Sequence, residues 1–240
     1  MARGRCRIVK LGGSLLRRSG AWPQLGPWLL RDAPTHQVVV TGGGEWADAI
    51  RTLDIDAGLS VDQSHWLAIR AMSLTAWTFA ALHPPFVYLD RWSSLERALE
   101  VSLPPALLVF DTAAWLLDEE TQGRPGRLPL GWQVTSDSIA AHLAMRLDAD
   151  ELLLLKSTSG PRDAGEPLVD EYFATARQNV RRVRLVNLVE ALASERPHQG
   201  TEGIHQETMD AGTRPSRTVP TTTSGQPGAG GPGSAGRVNG

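Results

Sequence analysis

The sequence predicts an α/β sandwich with a mainly parallel central sheet, and two observations lead to this fold class. Short runs of Val, Leu and Ile recur along residues 1–194, and segments with helical periodicity lie between them. Near-continuous apolar runs of this length are typical of strands that are buried on both faces of a parallel sheet. Strands that alternate with helices in this way indicate a parallel sheet covered by helices.

Six apolar runs are the predicted strands. Each is short and rich in Val, Leu or Ile, and the segments that follow them have turn or helix character. In chain order they are CRIVKL (6–11), QVVVT (37–41), PFVYLD (85–90), ALLVFD (106–111), ELLLLKS (151–157) and RVRLVN (182–187).

Three segments carry the clearest helix signals: residues 60–82, 136–147 and 188–194. At the start of the longest, Ser60 and Gln63 have the spacing of a capping box. Apolar residues recur in it at roughly helical spacing and predict its buried face. These residues are Trp66, Ile69, Leu74 and Trp77.

The composition changes at residue 195. From there to the end large apolar residues almost vanish, and residues 218–240 are rich in Thr, Ser, Gly and Pro. Such a segment buries too little apolar surface to offset the entropy cost of ordering it. We therefore expect one folded domain over residues 1–194 and a disordered tail over 195–240.

Charge and hydropathy exclude several classes of partner. The net charge of −2 gives no electrostatic basis for binding nucleic acid or a membrane surface. The apolar runs are far shorter than the roughly 20 residues that a membrane span needs. The basic start MARGRCR is interpreted as a solvated terminus, with Arg7 as an exposed strand flank. The single cysteine, Cys6, fits a reducing compartment, so a cytoplasmic protein is expected.

Two predicted strands end in glycine clusters, at Gly12–Gly13 and at residues 42–44. Glycines at the carboxyl ends of parallel strands let backbone N–H groups approach an anion, and the following helix dipole favours negative charge. Neither cluster has the spacing of a P-loop or of a dinucleotide fingerprint. Two such clusters favour a phosphate site, and tight turns without a ligand remain the alternative.

Lysine is used at only two positions, Lys10 and Lys156, among 24 Lys and Arg residues. Each stands at the end of a predicted buried strand. An ammonium group is a compact point charge that can follow a moving phosphoryl group, whereas a guanidinium is larger and rigidly forked. Asp137, in the first turn of a predicted helix, is a candidate to position these lysines. Its alternative role is a favourable interaction with the helix dipole, worth about 0.3–1 kcal/mol.

Taken together, KLGGSLL, VVVTGGGEWAD, VTSDSIAAHLAMRLDADELLLLKST and RVRLVN resemble the amino acid kinase family over roughly residues 5–192. The resemblance implies a three-layer α/β/α sandwich that binds ATP with Mg2+ and a small-molecule acceptor, usually as a homo-oligomer. Many family members bring a second catalytic lysine from a later helix. No lysine follows Lys156 here, so Lys156 or an arginine such as Arg162 is expected to take that role.

The resemblance implies three groups of site residues, with no protein metal ligands among them. The implied catalytic residues are Lys10, Asp137 and Lys156. The implied ATP-binding residues are Gly12, Gly13, Ser14, Lys156, Ser157, Thr158 and Gly160. The implied acceptor-binding residues are Gly42, Gly43, Gly44, Asp48, His65 and Trp66.

Within the family, LSVDQSHWLAIRAM and VDEYF (169–173) look most like the kinases of methanofuran-type cofactor biosynthesis. Those enzymes phosphorylate an (aminomethyl)furan-methyl phosphate, an acceptor that is already a phosphate monoester. Trp46 or Trp66 is a candidate to stack on the furan ring. Kinases of acylated amino acids or of nucleoside monophosphates, and non-catalytic nucleotide- or oxyanion-binding members, remain open as alternatives.

Overall fold

The structure, a computed structural model, describes residues 5–17, 22–31, 36–100, 105–158 and 168–194. The predicted tail over 195–240 lies outside the described residues, and so does the boundary that separates it from the domain.

Within the described ranges the sheet has six strands, and every pairing between them is parallel. The spatial order is β3-β4-β2-β1-β5-β6, so β1 lies at the centre between β2 and β5. All six predicted strands and the parallel sheet are therefore confirmed. The strands are β1 (Cys6–Leu11), β2 (His36–Thr41), β3 (Val87–Leu89), β4 (Leu107–Phe110), β5 (Glu151–Lys156) and β6 (Val183–Asn187).

Helices connect the strands and cover both faces of the sheet. A short 3-10 helix at Gly13–Arg17 follows β1. The α-helices are α1 (Trp22–Leu30), α2 (Gly44–Ala57), α3 (Val61–Leu82), α4 (Trp92–Glu100), α5 (Ala113–Thr121), α6 (Ser136–Arg146), α7 (Phe173–Ala176) and α8 (Leu188–Ser194). Across the described residues, none of these helices combines the length and the apolar character needed to span a bilayer.

Two hydrophobic clusters form the core, one on each face of the sheet. Because successive strand residues point to opposite faces, Ile8 of β1 belongs to one cluster and Val9 to the other. The first cluster packs against α4, α5 and α6, and the second packs against α1 and α8. The fold is therefore the three-layer α/β/α sandwich that the sequence resemblance implied.

The predicted capping box of α3 is confirmed, but its predicted buried face is right only for Ile69, which is buried, and Trp66, which packs against the core. Ser60 Oγ accepts a hydrogen bond from the Gln63 backbone N–H at 3.2 Å, and Gln63 Oε1 accepts one from the Ser60 N–H at 2.9 Å. Leu74 and Trp77 are 42% and 60% exposed, because they lie on the side of the helix that faces away from the sheet. The residues of α3 that pack towards the core are His65, Ile69, Met72, Ala76 and Phe79.

Arg7 is also placed differently from the sequence interpretation. Its side chain is only 11% exposed, and its Nε lies 2.6 Å from Oε2 of Glu151 on the neighbouring strand β5. Arg184 Nε of β6 lies 3.0 Å from the other carboxylate oxygen of Glu151. A buried arginine requires such a partner, so Arg7 is a structural residue of the sheet rather than a solvated flank.

Candidate active site

Strand register brings the two lysines to one place. In the parallel pairings, Leu11 of β1 is level with Thr41 of β2 and with Leu155 of β5. Gly12, Gly42 and Lys156 therefore follow at the same edge of the sheet, where the carboxyl ends of the central strands meet. In open α/β sheets this edge is where ligands bind.

Lys10 is a buried residue whose ammonium group contacts Asp137. Its side chain is 6% exposed, and its Nζ lies 2.9 Å from Asp137 Oδ1. A lysine that only extended its ammonium into water from the strand end would be far more exposed. Lys10 is therefore an internal charge of the protein.

Lys156 contacts the same carboxylate. Its Nζ donates to Asp137 Oδ2 at 2.7 Å and to Oδ1 at 3.0 Å, and its side chain is 15% exposed. Burial and the neighbouring charge of Lys10 lower the pKa of Lys156 to about 8, against the opposing influence of Asp137. Lys156 is thus close to its titration point at neutral pH, and it keeps its proton because Asp137 is present.

Asp137 holds both ammonium groups from the first turn of α6. Burial alone would raise the pKa of Asp137, but the charges of Lys10 and Lys156 outweigh burial and bring that pKa below its ordinary value. Asp137 is therefore ionised at neutral pH. Two buried cations and one buried anion leave the cluster with a net positive charge, which suits an anionic ligand.

The two glycine loops are in backbone contact with each other. A Cβ added at Gly13 would lie 2.4 Å from both the Cα and the N of Gly44, so no side chain fits there. Gly44 also has φ = +57°, a backbone conformation that favours glycine. A Cβ added at Gly12 would lie 4.0 Å from Lys10 Nζ. A tight turn alone does not require two loops to touch each other beside an ammonium group.

The residues predicted for ATP on the β5 side lie next to the first glycine loop. Ser14 Oγ and Ser157 Oγ are 3.0 Å apart, so the segment after β1 and the segment after β5 are joined by a hydrogen bond. Thr158 follows in the same half-buried stretch. Gly160 and Arg162 lie outside the described residues.

The predicted acceptor residues form a looser group. Gly42 and Gly43 are buried beside the cluster, and a Cβ added at Gly42 would lie 3.1 Å from Ser136 Oγ at the start of α6. Asp48 and Trp46 lie on exposed positions of α2. The contacts in the described part of the chain do not join Asp48 to the lysine–aspartate cluster.

His65 is buried, and its Nδ1 accepts a hydrogen bond from the Gly131 backbone N–H at 3.1 Å. Burial lowers the pKa of His65, so the imidazole is neutral at pH 7. Trp66 packs edge-on against it, with ring centroids 5.3 Å apart. Both residues line a small cavity together with Glu119 and Arg127. The structure therefore places them against the loop that leads into α6, and their role towards an acceptor stays a prediction.

Two residues near the site were missed in the sequence. Asp170 accepts hydrogen bonds from the first turn of α6, on both sides of Asp137 in the chain. Trp132 donates from Nε1 to Asp54 Oδ2 at 2.6 Å, and the Arg51 guanidinium lies 4.6 Å from the centre of the Trp132 ring. The VDEYF segment contains Asp170, but its spacing gave no sign of this contact.

No group of three or more His, Cys, Asp or Glu side chains that could hold a metal ion occurs among the described residues. Asp137 has both of its oxygens in contact with ammonium groups. Mg2+ usually keeps several waters and binds through substrate phosphates with one or two carboxylates. In this structure both carboxylate oxygens of Asp137 are instead engaged by the two lysines.

The chain is similar to known proteins over most of its length. The model of the amino acid kinase family matches residues 5–217. The chain is 27% identical over 161 residues to (5-(aminomethyl)furan-3-yl)methyl phosphate kinase of Methanocaldococcus jannaschii, which is 65% of this chain and 68% of that protein.

Solved structures show the same fold at low identity. Uridylate kinase of Archaeoglobus fulgidus superposes with a TM-score of 0.54 at 16% identity, over 79% of this chain and 94% of that one. UMP kinase of Ureaplasma parvum gives a TM-score of 0.52 at 10% identity, over 81% and 97% of the two chains. Because the family model covers most of the sequence, the chain belongs to the amino acid kinase family and is an ATP-dependent phosphotransferase.

Proposed function

We propose that this kinase transfers the γ-phosphoryl group of ATP to a phosphate monoester, such as (aminomethyl)furan-methyl phosphate, and forms a diphosphate. The observation that carries the proposal is the pair of ammonium groups held by one buried carboxylate beside two touching glycine loops. The similar kinase of Methanocaldococcus jannaschii is named for this acceptor, and this similarity supports the choice of substrate.

The ammonium groups of Lys10 and Lys156 are proposed to contact the transferred phosphoryl group. Phosphoryl transfer needs little covalent help from the protein, so positioned cations and backbone N–H groups supply most of the catalysis. Asp137 keeps the two ammonium groups together before any substrate arrives, although the two cations repel each other. The charge arrangement is thereby prepared in advance, and little reorganisation is needed in the transition state.

A phosphate monoester needs no strong general base, because its oxygens are already ionised at neutral pH. The neutral, hydrogen-bonded His65 is consistent with an acceptor of this kind. The deprotonation that a hydroxyl acceptor requires would need a base close to Lys10, and the nearest carboxylate, Asp137, is neutralised by two lysines.

ATP is proposed to bind over the first glycine loop and the end of β5, and the acceptor over the second glycine loop. The hydrogen bond between Ser14 and Ser157 supports the first assignment. The backbone contact between Gly13 and Gly44 supports two phosphate sites that lie side by side. Mg2+ bound to the ATP phosphates would neutralise charge that develops on the leaving group.

We propose a cytoplasmic homo-oligomer as the working form of the enzyme. The cytoplasm supplies ATP and keeps the buried thiol of Cys6 reduced. The exposed face of α3 supports the oligomer, since Leu67, Leu74 and Trp77 lie there at spacings of seven and three residues.

A panel of acceptors tests the substrate. ADP release is measured with ATP, Mg2+ and, in turn, the furan monophosphate, UMP, an acylated amino acid or no acceptor. We expect acceptor-dependent ADP with the furan monophosphate, at least tenfold above the other acceptors. Faster turnover of UMP or of the amino acid would replace the proposed substrate, and no acceptor-dependent ADP from any of them would overturn the proposal.

Replacement of Lys10 tests the site in the same assay. Lys10→Arg keeps a positive charge but exchanges the compact ammonium for a forked guanidinium, and we expect turnover to fall by at least a hundredfold. Arg181→Lys is the matched control, because Arg181 is an exposed cation paired with Asp148. Wild-type turnover in Lys10→Arg would remove Lys10 from the catalytic site.

A further inference from the structure

The carboxylate of Asp170 makes an unusual number of hydrogen bonds to the start of α6. Its Oδ2 accepts from the Thr135 backbone N–H at 3.0 Å, the Thr135 hydroxyl at 2.7 Å and the Ser138 backbone N–H at 3.0 Å. Its Oδ1 accepts from the Ser138 hydroxyl. Four donors, from the two residues that flank Ser136 and Asp137, therefore converge on one side chain.

Asp170 takes the place of an N-cap side chain for α6, because it accepts the hydrogen bond of the Ser138 N–H in the first turn. Thr135 occupies the N-cap position of α6, and threonine there ordinarily accepts a hydrogen bond from the backbone with its own hydroxyl. Here the Thr135 side chain makes no such cap bond, and its hydroxyl donates to Asp170. A local cap has thus been exchanged for a contact with a residue 35 positions away.

The three charged groups of the lysine–aspartate cluster come from three elements, so the cluster forms only when these elements keep their relative positions. Lys10 and Lys156 come from neighbouring strands whose register is fixed by backbone pairing. Asp137 comes from a helix end, and helix ends are where the backbone frays most readily. The backbone of the segment that carries Asp170 is also bonded to the loop before α6, since the Tyr172 N–H donates to the Gln133 carbonyl at 3.2 Å.

We propose that Asp170 is a positioning residue for phosphoryl transfer, which holds the first turn of α6 so that Asp137 keeps both ammonium groups in place. This inference rests on the proposed roles of Lys10, Asp137 and Lys156. Asp170 itself acts through Asp137 and is not a catalytic residue. Misplacement of catalytic groups by about 1 Å costs on the order of a hundredfold in rate. The hydrogen bonds of Asp170 to this turn are therefore expected to have a large effect on turnover.

The two lysines of the sequence allow a direct test. Protein labelled with 13C-lysine and carrying no lysine in its tag gives two lysine side-chain environments, and Lys156→Arg assigns them. Because Asp137 raises the pKa of Lys156, loss of Asp137 from its place lowers the titration midpoint of Lys156. Asp170→Asn removes the charge and one acceptor oxygen, while Glu171→Gln removes a charge from the exposed neighbouring residue as the matched control.

We expect Asp170→Asn to lower kcat at least tenfold, with the KM values of ATP and acceptor within about twofold of wild type. The Lys156 midpoint falls by at least half a pH unit in the enzyme without substrates, Glu171→Gln changes neither quantity, and Asp170→Glu restores part of kcat. If Asp170→Asn fails to fold, Ser138→Ala, which removes one donor to Asp170, is expected to shift both quantities in the same direction by a smaller amount.

Unchanged kcat and an unchanged Lys156 midpoint would overturn the inference. A lower melting temperature with kcat and the midpoint at wild-type values would also overturn it, because Asp170 would then only stabilise the fold. The titration needs neither ATP nor acceptor. It therefore tests whether Asp170 keeps Asp137 in position even if the proposed acceptor is wrong. Full turnover in Lys10→Arg, in contrast, would contradict the proposed site without touching the titration result.

Discussion

Lys10 and Lys156 differ from the other cations of the chain in burial and in partner. Both contact a single carboxylate, so the pair of cations is only half neutralised by the protein. A buried excess of positive charge costs stability in the free enzyme, and in the proposed reaction a bound phosphoryl group would offset that cost. A cluster of this kind is a candidate functional site.

Lys156→Met is expected to abolish turnover and to stabilise the fold. Because the pKa of Lys156 is lowered in the folded state to about 8, its charge destabilises the fold fully below that pH. The cost fades as pH rises towards the unfolded value of about 10.4. Thermal unfolding at pH 7 and at pH 10 measures this, with a clear rise in Tm at pH 7 and a smaller rise at pH 10.

The exposed cation Arg181 serves as control, and Arg181→Met is expected to leave Tm nearly unchanged at both pH values. A fall in Tm for Lys156→Met at pH 7 would show that the ammonium group stabilises the folded state, against the expectation.

Activity is expected to depend on the proton of Lys156. As pH rises through about 8 the ammonium group of Lys156 loses its charge, so kcat/KM for ATP falls above that pH. Lys156→Arg is expected to lack this basic limb, because a guanidinium stays protonated. A wild-type profile that stays flat to about pH 9.5 would exclude Lys156 as a required cation.

At the scale of elements, the two glycine loops and the first turn of α6 form the proposed site. Each loop follows a central strand, and the register of β1 with its two neighbours puts the loops in contact. Gly13 is the most constrained position, since its Cα–H face lies directly against the Gly44 backbone. The glycines are therefore required by the approach of backbone to backbone as well as by any ligand.

Gly13→Ala is expected to destabilise the fold by about 1–3 kcal/mol, because its Cβ would overlap backbone atoms that cannot move independently. Gly12→Ala is the graded comparison, since the nearest atom to its Cβ is the Leu155 carbonyl oxygen at 3.2 Å. Chemical denaturation measures both variants. Equal stability of Gly13→Ala and wild type would contradict the close contact of the two loops.

The elements differ in how far the sequence predicts them. All six strands were predicted, because each is a local run of apolar residues, although the edge strands β3 and β6 are not buried on both faces as expected. Helix α2 was not among the predicted helices, although Trp46, Ile50 and Leu53 recur at helical spacing, and none of its 14 residues is buried. The face of α3 was misassigned because large apolar residues lie on its exposed side as well as on its buried side.

The same is true of the candidate site: features that lie within one short segment were predicted, and contacts between distant segments were not. The glycine loops and the two lysines are visible in the sequence because each lies at the end of a recognisable strand. That β1 and β5 are neighbours depends on strand order, which periodicity does not specify. The contact of Asp170 with α6 joins residues 35 positions apart and has no local signature.

At the scale of the whole molecule, one side of α3 presents an exposed apolar surface among the described residues. Leu67, Leu74 and Trp77 are 39%, 42% and 60% exposed along one side of α3. We expect the protein to be a homo-oligomer of its 25.9 kDa chain, with this side of α3 in the contact. Light scattering after size exclusion measures the mass of wild type and of Leu74→Arg.

The Leu74→Arg substitution is expected to lower the oligomer mass, while Leu117→Arg, an exposed leucine of α5, leaves it unchanged. A monomeric wild type would contradict the oligomer. An oligomer whose mass is unchanged by Leu74→Arg would show that the contact lies on another surface.

The central claim is that the lysine–aspartate cluster transfers a phosphoryl group from ATP to a phosphate monoester. The most direct measurement is 31P NMR of the enzyme with ATP, Mg2+ and the furan monophosphate. The account predicts a new pair of coupled doublets from a diphosphate ester as ADP forms, and loss of both doublets in Lys10→Arg. Formation of ADP with inorganic phosphate alone, or diphosphate at the wild-type rate in Lys10→Arg, would contradict it.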